Sequence, residues 1–241
     1  MTRDTDDDWA DIAEREPFYG VLTHPRFLRA NLTEESLREF WRSGESDIAA
    51  IVGALREHCK NFTPGTALDF GCGVGRLTNA MAAHASEVLG VDISLGMLVE
   101  GRLHAHTNVS FANDFDGRTF DWVNSSIVLQ HINPRVGFGL IEKLLGAVNP
   151  AGVISIHLTT YKDATAIASV NPCIAMGAWD GERLRNLQDN TLPVGTMMMY
   201  DYDMTRVLML LNQADFTRVM LDQTYHGGNY GVTIYGRRRP S

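Results

Sequence analysis

Three strings in this chain set ligand-gripping or reactive side chains at spacings that suit chemistry. The first, Ala67-Leu68-Asp69-Phe70-Gly71-Cys72-Gly73-Val74-Gly75-Arg76, follows an apolar strand and opens a helix. Glycines at 71, 73 and 75 let the backbone turn sharply and approach a ligand with no Cβ in the way. A dinucleotide turn spaces its glycines Gly-x-Gly-x-x-Gly to seat a pyrophosphate on the helix N-terminus. Here the third glycine comes one residue early, and Asp69 stands just before the first. A carboxylate there repels phosphate and suits an ammonium group. The second string, Glu87-Val88-Leu89-Gly90-Val91-Asp92, ends in an acid about 20 residues past the loop, where an α/β cofactor site sets a carboxylate on ribose hydroxyls. Capping the next helix is the alternative for Asp92, although Ser94 can do that too. The third feature is His131, shortly after an apolar strand. A neutral imidazole there can take a proton from an acceptor hydroxyl; the alternative is that Gln130-His131 braces the following helix.

These residues need a scaffold, and the hydrophobic pattern supplies one. Residues 1 to about 62 read as helical. Thr33 caps a helix with Glu34 and Glu35 in its first turn, favourable against the helix dipole. That helix passes Leu37, Phe40 and Trp41 and is expected to stop near Gly44. A second is expected from Glu45, with Ile48, Ile51, Val52 and Leu55 as its apolar stripe. Pro64-Gly65 breaks the pattern. Strands are then expected at Thr66–Phe70, Val88–Val91, Val109–Ala112, Trp122–Ile127 and Val153–Leu158, alternating with helices at Gly75–His84, Leu95–His104 and Val136–Val148. Asn149-Pro150-Ala151-Gly152 reads as a tight turn. Residues 161–199 break the rhythm with Gly, Pro and Met. A helix at Met204–Leu211 and strands at Phe216–Leu221 and Tyr230–Tyr235 close the chain, with Gly227-Gly228 as a hairpin turn. Strand–helix alternation of this kind predicts an α/β fold, a mostly parallel sheet with helices on both faces.

Composition narrows the function. The formal charge of −8 is poor for gripping nucleic acid, and the lone basic run, Arg237-Arg238-Arg239, reads as a solvated tail. Cys59, Cys72 and Cys173 form no Cys-x-x-Cys pair, so neither a disulfide framework nor a cysteine zinc site is expected. His24, His58, His84, His104 and His106 lack metal-ligand spacing, and no metal is expected. An acidic N-terminus and the lack of a long apolar run point to a cytoplasmic protein with no membrane segment.

With these strings on the page, the chain resembles the class I S-adenosylmethionine-dependent methyltransferases, most closely their small-molecule branch. The resemblance is carried by Leu68 to Arg76, by Val91-Asp92-Ile93-Ser94-Leu95-Gly96-Met97-Leu98, by Phe120 to Ile132 and by the turn before Val153. It covers residues 60 to 160 well and the remainder loosely. It implies a Rossmann-like seven-stranded sheet with a C-terminal antiparallel hairpin strand and S-adenosylmethionine as co-substrate. By position it implies that Asp69 faces the methionine ammonium through its hydrogen-bond network and that Gly71, Cys72, Gly73 and Arg76 form the methionyl side. Asp92 would hold the ribose, Ile93 and Met97 would pack on the adenosine, Asn113 or Asp114 would receive the adenine amino group, and Ser126 would offer its backbone near the methionyl end. One departure stands out. Only Asn113–Thr119 links the third and fourth strands, where relatives carry a short helix. Seven residues reach about 23–25 Å, enough for the sideways step of about 14 Å but with no room for a helix. Asn124-Ser125-Ser126-Ile127 also stands where adenine and glutamine amino-methyltransferases carry Asn/Asp-Pro-Pro-Tyr.

For the acceptor, His131 is the candidate base, and His157, Tyr161, Tyr200, Tyr225 and His226 are candidate cavity residues. Trp41 lies over the cofactor or packs in the core, and Met197-Met198-Met199 forms a pliable wall or filler. The expected organisation is an N-terminal helical cap at 1–62 and a methyltransferase domain at 63–241, with 161–199 as a substrate lid. The expected activity is in-line methyl transfer to a small-molecule acceptor, at a hydroxyl oxygen of a secondary metabolite or sugar derivative, by a monomer or homodimer. N-methylation of a small amine, nicotinamide-dependent oxidoreduction and a non-catalytic scaffold remain as alternatives.

Overall fold

The computed structural model describes residues 5–163, 174–179, 184–186 and 194–240. Its centre is β1 (Thr66–Phe70), flanked in parallel by β2 (Glu87–Val91) and β4 (Phe120–Ser125). β3 (Val109–Ala112) lies outside β2, and β5 (Val148–Lys162) lies outside β4. A C-terminal hairpin completes the sheet. Its strands are β9 (Val219–His226) and β10 (Asn229–Arg237), turning at Gly227-Gly228. The order is β3-β2-β1-β4-β5-β10-β9, with β10 antiparallel to both neighbours.

Each face buries one layer. On one side α6 (Pro134–Gly146) and α7 (Met204–Gln213) set Phe138, Ile141, Leu144 and Leu210 against Val123, Ile154, Ile156 and Leu158. On the other, α3 (Glu34–Cys59) and α4 (Arg76–Met81) set Ile48, Val52, Leu55 and Met81 against Ala67, Val88, Trp122 and Val153. Each such side chain contributes about 1.5–3 kcal/mol when fully buried. At the edge, α5 (Leu95–Leu103) is overlaid by α1 (Asp6–Arg15) and α2 (Pro17–Val21), where Ile12, Phe18 and Met97 meet.

Several local expectations change. The break expected at Gly44 is absent: α3 runs unbroken for 26 residues from a capping box of Thr33 and Ser36. Gly44 marks a close approach instead, since a Cβ there would stand 2.5 Å from the Arg76 carbonyl oxygen of α4. The helix expected at Val136 starts at Pro134, because Asn133 accepts from the Arg135 amide. The turn expected at Asn149–Gly152 lies inside β5 as an irregularity, with Ala151 at φ 64° and a register shift opposite Phe120 and Trp122. β4 stops at Ser125, because Ile127 has φ 60° and cannot extend it. β9 starts at Val219, since Asp215 at φ 66° turns the chain and Phe216 is buried beneath it. The short Asn113–Thr119 link crosses from the sheet edge to β4 without a helix, as its length requires.

Within 161–199, β6 (Ile174–Trp179), β7 (Leu184–Asn186) and β8 (Met197–Tyr200) form a second sheet in the order β7-β6-β8. Cys173 lies outside the described residues.

Two glycines of α3 test this packing in opposite directions. Gly53 has nothing within 4 Å of a built Cβ, so Gly53→Ala should stabilise the protein by about 0.5–1 kcal/mol. Gly44→Ala forces α3 off α4 and should cost about 1–3 kcal/mol. Urea unfolding of both variants reads the signs directly.

Candidate active site

The C-terminal ends of β1 to β4 come together at the point where the strand order reverses, between β1 and β4. In an open α/β sheet this is where the ligand crevice lies. The parallel register sets Phe70 beside Val91 and Val91 beside Ala112, so the three loops leave the sheet side by side.

The glycine loop is held by the end of β2. Gly71 and Cys72 donate their amides to the Val91 carbonyl at 2.7 and 3.0 Å. Gly71, Gly73 and Gly75 have φ of 74°, 53° and 83°, a region glycine enters without steric cost. A side chain at Gly71 would run into Val128, and one at Gly73 into Val21 of α2, so the loop is approached from both sides. The Asp92 carboxylate accepts from the Gly73 amide and from the Ser94 amide, both at 2.9 Å. Asp92 therefore braces the start of α5 and the glycine loop at once. Burial raises its pKa, and the two amides oppose that rise.

Asp69 does not reach the surface. It is 2% exposed and accepts from Thr78 Oγ1 at 2.7 Å and Asn124 Nδ2 at 2.9 Å. The Asn124 amide oxygen accepts from the Ser155 hydroxyl, which accepts from the Trp122 indole. Burial pushes Asp69 up to about 6, against the pull of Thr78 and Asn124.

The remaining predicted residues divide. Ile93 is exposed beside Asp92, and Asn113 is exposed at the end of β3. Asp114 is taken up by the turn, accepting from the Asp116 amide at 2.6 Å, with Lys143 of α6 at 3.8 Å. Ser126 follows β4 directly and precedes Ile127. That β-branched residue at positive φ stores strain of about 1–3 kcal/mol. Met97 is buried beneath α1 and α2, and the Cys72 thiol sits in the core with Leu98 and Phe111. Arg76 turns its guanidinium to α3, bonding Asp47 at 2.7 Å and Ser43 at 3.0 Å. Trp41 packs on Phe18, Phe40 and His104.

His131 is 6% exposed in the turn after β4. Its Nδ1 lies 2.7 Å from the Met198 carbonyl of β8, an acceptor only, so Nδ1 carries the proton and Nε2 is the basic atom. Gln130 Nε2 donates to that atom at 3.2 Å. Burial lowers His131 to about 4, so the ring is neutral at pH 7. Trp9 of α1 stands edge-on to it at 5.1 Å, and Asp8 accepts from the Gly195 amide before β8. The sequence marks this stretch only as part of a helical cap at 1–62; Trp9, Ile12 and Ala13, at helical spacing, are the residues that turn α1 inward. A buried ion pair, Lys162 with Asp201, was also not foreseen. Among the described residues no group of three or more His, Cys, Asp or Glu side chains is placed to hold a metal.

These pKa directions make stability depend on pH. An unfolded imidazole titrates near 6.5, above the folded value of about 4. Between those values the unfolded chain binds more protons, so His131 makes stability fall as pH drops through that window. Asp69 acts oppositely, because its native carboxyl keeps a proton up to about 6. His131→Gln should therefore flatten the acid-side loss of stability in urea midpoints between pH 7 and 4.5; a slope equal to the parent's would contradict the buried neutral ring.

Residues 68–154 match the family described as a methyltransferase domain. No curated protein matches the sequence. Solved structures share the fold at low identity. DhpI in complex with S-adenosylhomocysteine aligns over 100% of both chains at 16% identity, with a TM-score of 0.61. Magnesium protoporphyrin IX methyltransferase from Synechocystis PCC 6803 with S-adenosylmethionine bound aligns over 99% of each chain at 16%, TM-score 0.60. The N-methyltransferase NodS from Bradyrhizobium japonicum WM9 with S-adenosylhomocysteine covers 98% of this chain and 99% of its own at 15%, TM-score 0.57. Strand order, glycine loop and the match over residues 68–154 agree: this chain carries a stretch similar to the methyltransferase-domain family, on the fold that these S-adenosylmethionine- and S-adenosylhomocysteine-bound structures share.

Proposed function

We propose that the protein methylates a hydroxyl oxygen of a small molecule, with His131 as the base. S-Adenosylmethionine, when bound, supplies an electrophilic methyl group on its sulfonium. The residues present fit that group. Gly71 and Gly73 at positive φ turn the loop back beside Asp92, which has carboxylate lone pairs beyond the two that its amide donors use. Ile93 offers an exposed apolar surface for the base. Asn113 has the open amide for adenine, since Asp114 is engaged by its own turn. Asp69 acts at one remove, its negative charge favouring the ammonium through Asn124 and Thr78, while Ser126 offers backbone. Met97, Cys72 and Arg76 support the loop from beneath and from α3.

The observation that carries the oxygen assignment is the His131 ring: proton on Nδ1, basic Nε2, neutral at pH 7. As the oxygen–methyl bond forms, the acceptor's proton becomes strongly acidic, so even a weakly basic imidazole can receive it. A neutral amine gains less from such a base. Gln130 must give up its bond to Nε2 when the acceptor arrives. α1, holding Trp9 against the ring and Asp8 against β8, helps exclude water. Holding the reacting atoms in line contributes up to about 7–11 kcal/mol in the best-oriented systems.

Two variants separate binding from chemistry. Asp92→Ala should weaken S-adenosylhomocysteine binding about 10- to 100-fold in calorimetry, as expected for a lost charged hydrogen bond. His131→Gln should leave that affinity intact and lower labelled-methyl transfer to a metabolite extract about 10²- to 10⁴-fold. Unchanged transfer in His131→Gln rules out the base.

A further inference from the structure

A cavity of about 470 Å³ lies between α3 and the chain that leaves α2, lined by residues to which the methyl transfer gives no task. Its size is within the range of small-molecule sites, about 300–1,000 Å³. Leu22 and Phe27 give it apolar walls, and Ser43 of α3 lines it as well. Its polar groups are chiefly donors. His24 Nδ1 accepts from the Arg26 amide at 3.3 Å, so Nε2 carries the ring proton and donates. Arg26, in a short 3-10 turn (Pro25–Phe27), gives one N–H to Glu39 of α3. A guanidinium has five such donors, and both side chains of the pair are half-exposed, so donors remain for a ligand.

Contacts on both sides set this cavity against the glycine loop. On the α2 side, Val21 is the residue before Leu22, and its Cγ2 stands 2.6 Å from where a Cβ on Gly73 would be. On the α3 side, Ser43 accepts from the Arg76 guanidinium at 3.0 Å, and Gly44 packs on the Arg76 carbonyl. Arg76 follows Gly75 directly. The cavity therefore borders the loop at its middle and at its end.

The methionyl tail of S-adenosylmethionine carries an ammonium and a carboxylate. The ammonium has Asp69 at one remove, but the carboxylate is still without a cation, and Asp69 and Asp92 repel it. The loop's own cation, Arg76, is 6% exposed and turned to Asp47. Arg26 is the cation that lines the neighbouring cavity. An Arg–carboxylate bond is among the stronger hydrogen bonds a protein makes. We propose that this cavity takes the methionyl carboxylate of the co-substrate, held by Arg26 and by His24 Nε2. Glu39 works against that grip, because it holds Arg26 and carries the same charge as the tail. The proposal rests on the methyl-transfer reading and extends its cofactor site into the N-terminal segment.

The test is calorimetry on the full-length protein with two probes. One is S-adenosylhomocysteine; the other is its decarboxylated analogue, 5′-deoxy-5′-(3-aminopropylthio)adenosine, which keeps the ammonium and lacks only the carboxylate. If neither binds, the methyl-transfer reading itself falls. On the proposal the parent binds S-adenosylhomocysteine about 10- to 100-fold tighter than the analogue, the worth of one charged hydrogen bond. Arg26→Met should remove that margin and leave the affinity for the analogue unchanged. His24→Phe, which keeps a ring beside Phe27, should narrow it. Glu39→Gln should widen it, since it frees Arg26 and removes a like charge. Arg26 and Glu39 are half-exposed, and surface substitutions of this kind leave folding intact. An ion pair that merely steadied the fold would move both variants the same way and both probes alike. No margin in the parent, a parental margin in Arg26→Met, or a margin that Glu39→Gln narrows overturns the proposal.

Discussion

The hydrogen bond from the Gly73 amide to the Asp92 carboxylate forms only if the chain leaving β1 doubles back over the end of β2. Three conditions meet in that bond. The parallel register must bring Phe70 level with Val91. The Val91 carbonyl must take both the Gly71 and Cys72 amides. Positions 71, 73 and 75 must hold positive φ together, which a run of three side-chain-bearing residues would resist. The loop, the crevice beside it and the start of α5 are consequences of the same fastening, since Asp92 also holds the Ser94 amide.

A second device works inside the sheet. Asp69, Thr78, Asn124, Ser155 and Trp122 form a buried polar chain across β1, α4, β4 and β5. Burying a carboxyl there costs stability, which the raised Asp69 pKa records. In return each bond is met only in one alignment of the strands. β4 thus ends at a fixed height beside β1, and the turn that carries His131 starts from that height. The positioning of His131 and the environment of the glycine loop are coupled through Asn124, which lies in the strand that leads to one and bonds the acid that precedes the other.

Much of this was legible in the sequence, for physical reasons that differ by element. The loop and Asp92 could be read because glycines at positive φ and a strand-end acid are dictated by local geometry. The strand order followed from the resemblance, and the bare Asn113–Thr119 link from arithmetic of reach. What could not be read depended on distant partners. Gly44 looks like a helix stop until Arg76 is seen against it. Asp114 and Asn113 look equivalent until the Asp116 amide and Lys143 claim the first. Nothing local to His131 announces that the Met198 carbonyl sets its tautomer, because the two are 67 residues apart.

The most direct measurement is a backbone amide spectrum of the labelled protein titrated with S-adenosylhomocysteine. The account predicts saturable changes concentrated at Gly71, Gly73, Asp92, Ile93, Asn113 and Ser126, with the hairpin of β9 and β10 unmoved. Saturable binding whose changes fall elsewhere, or a cooperatively folded protein whose spectrum does not respond at all, would contradict it.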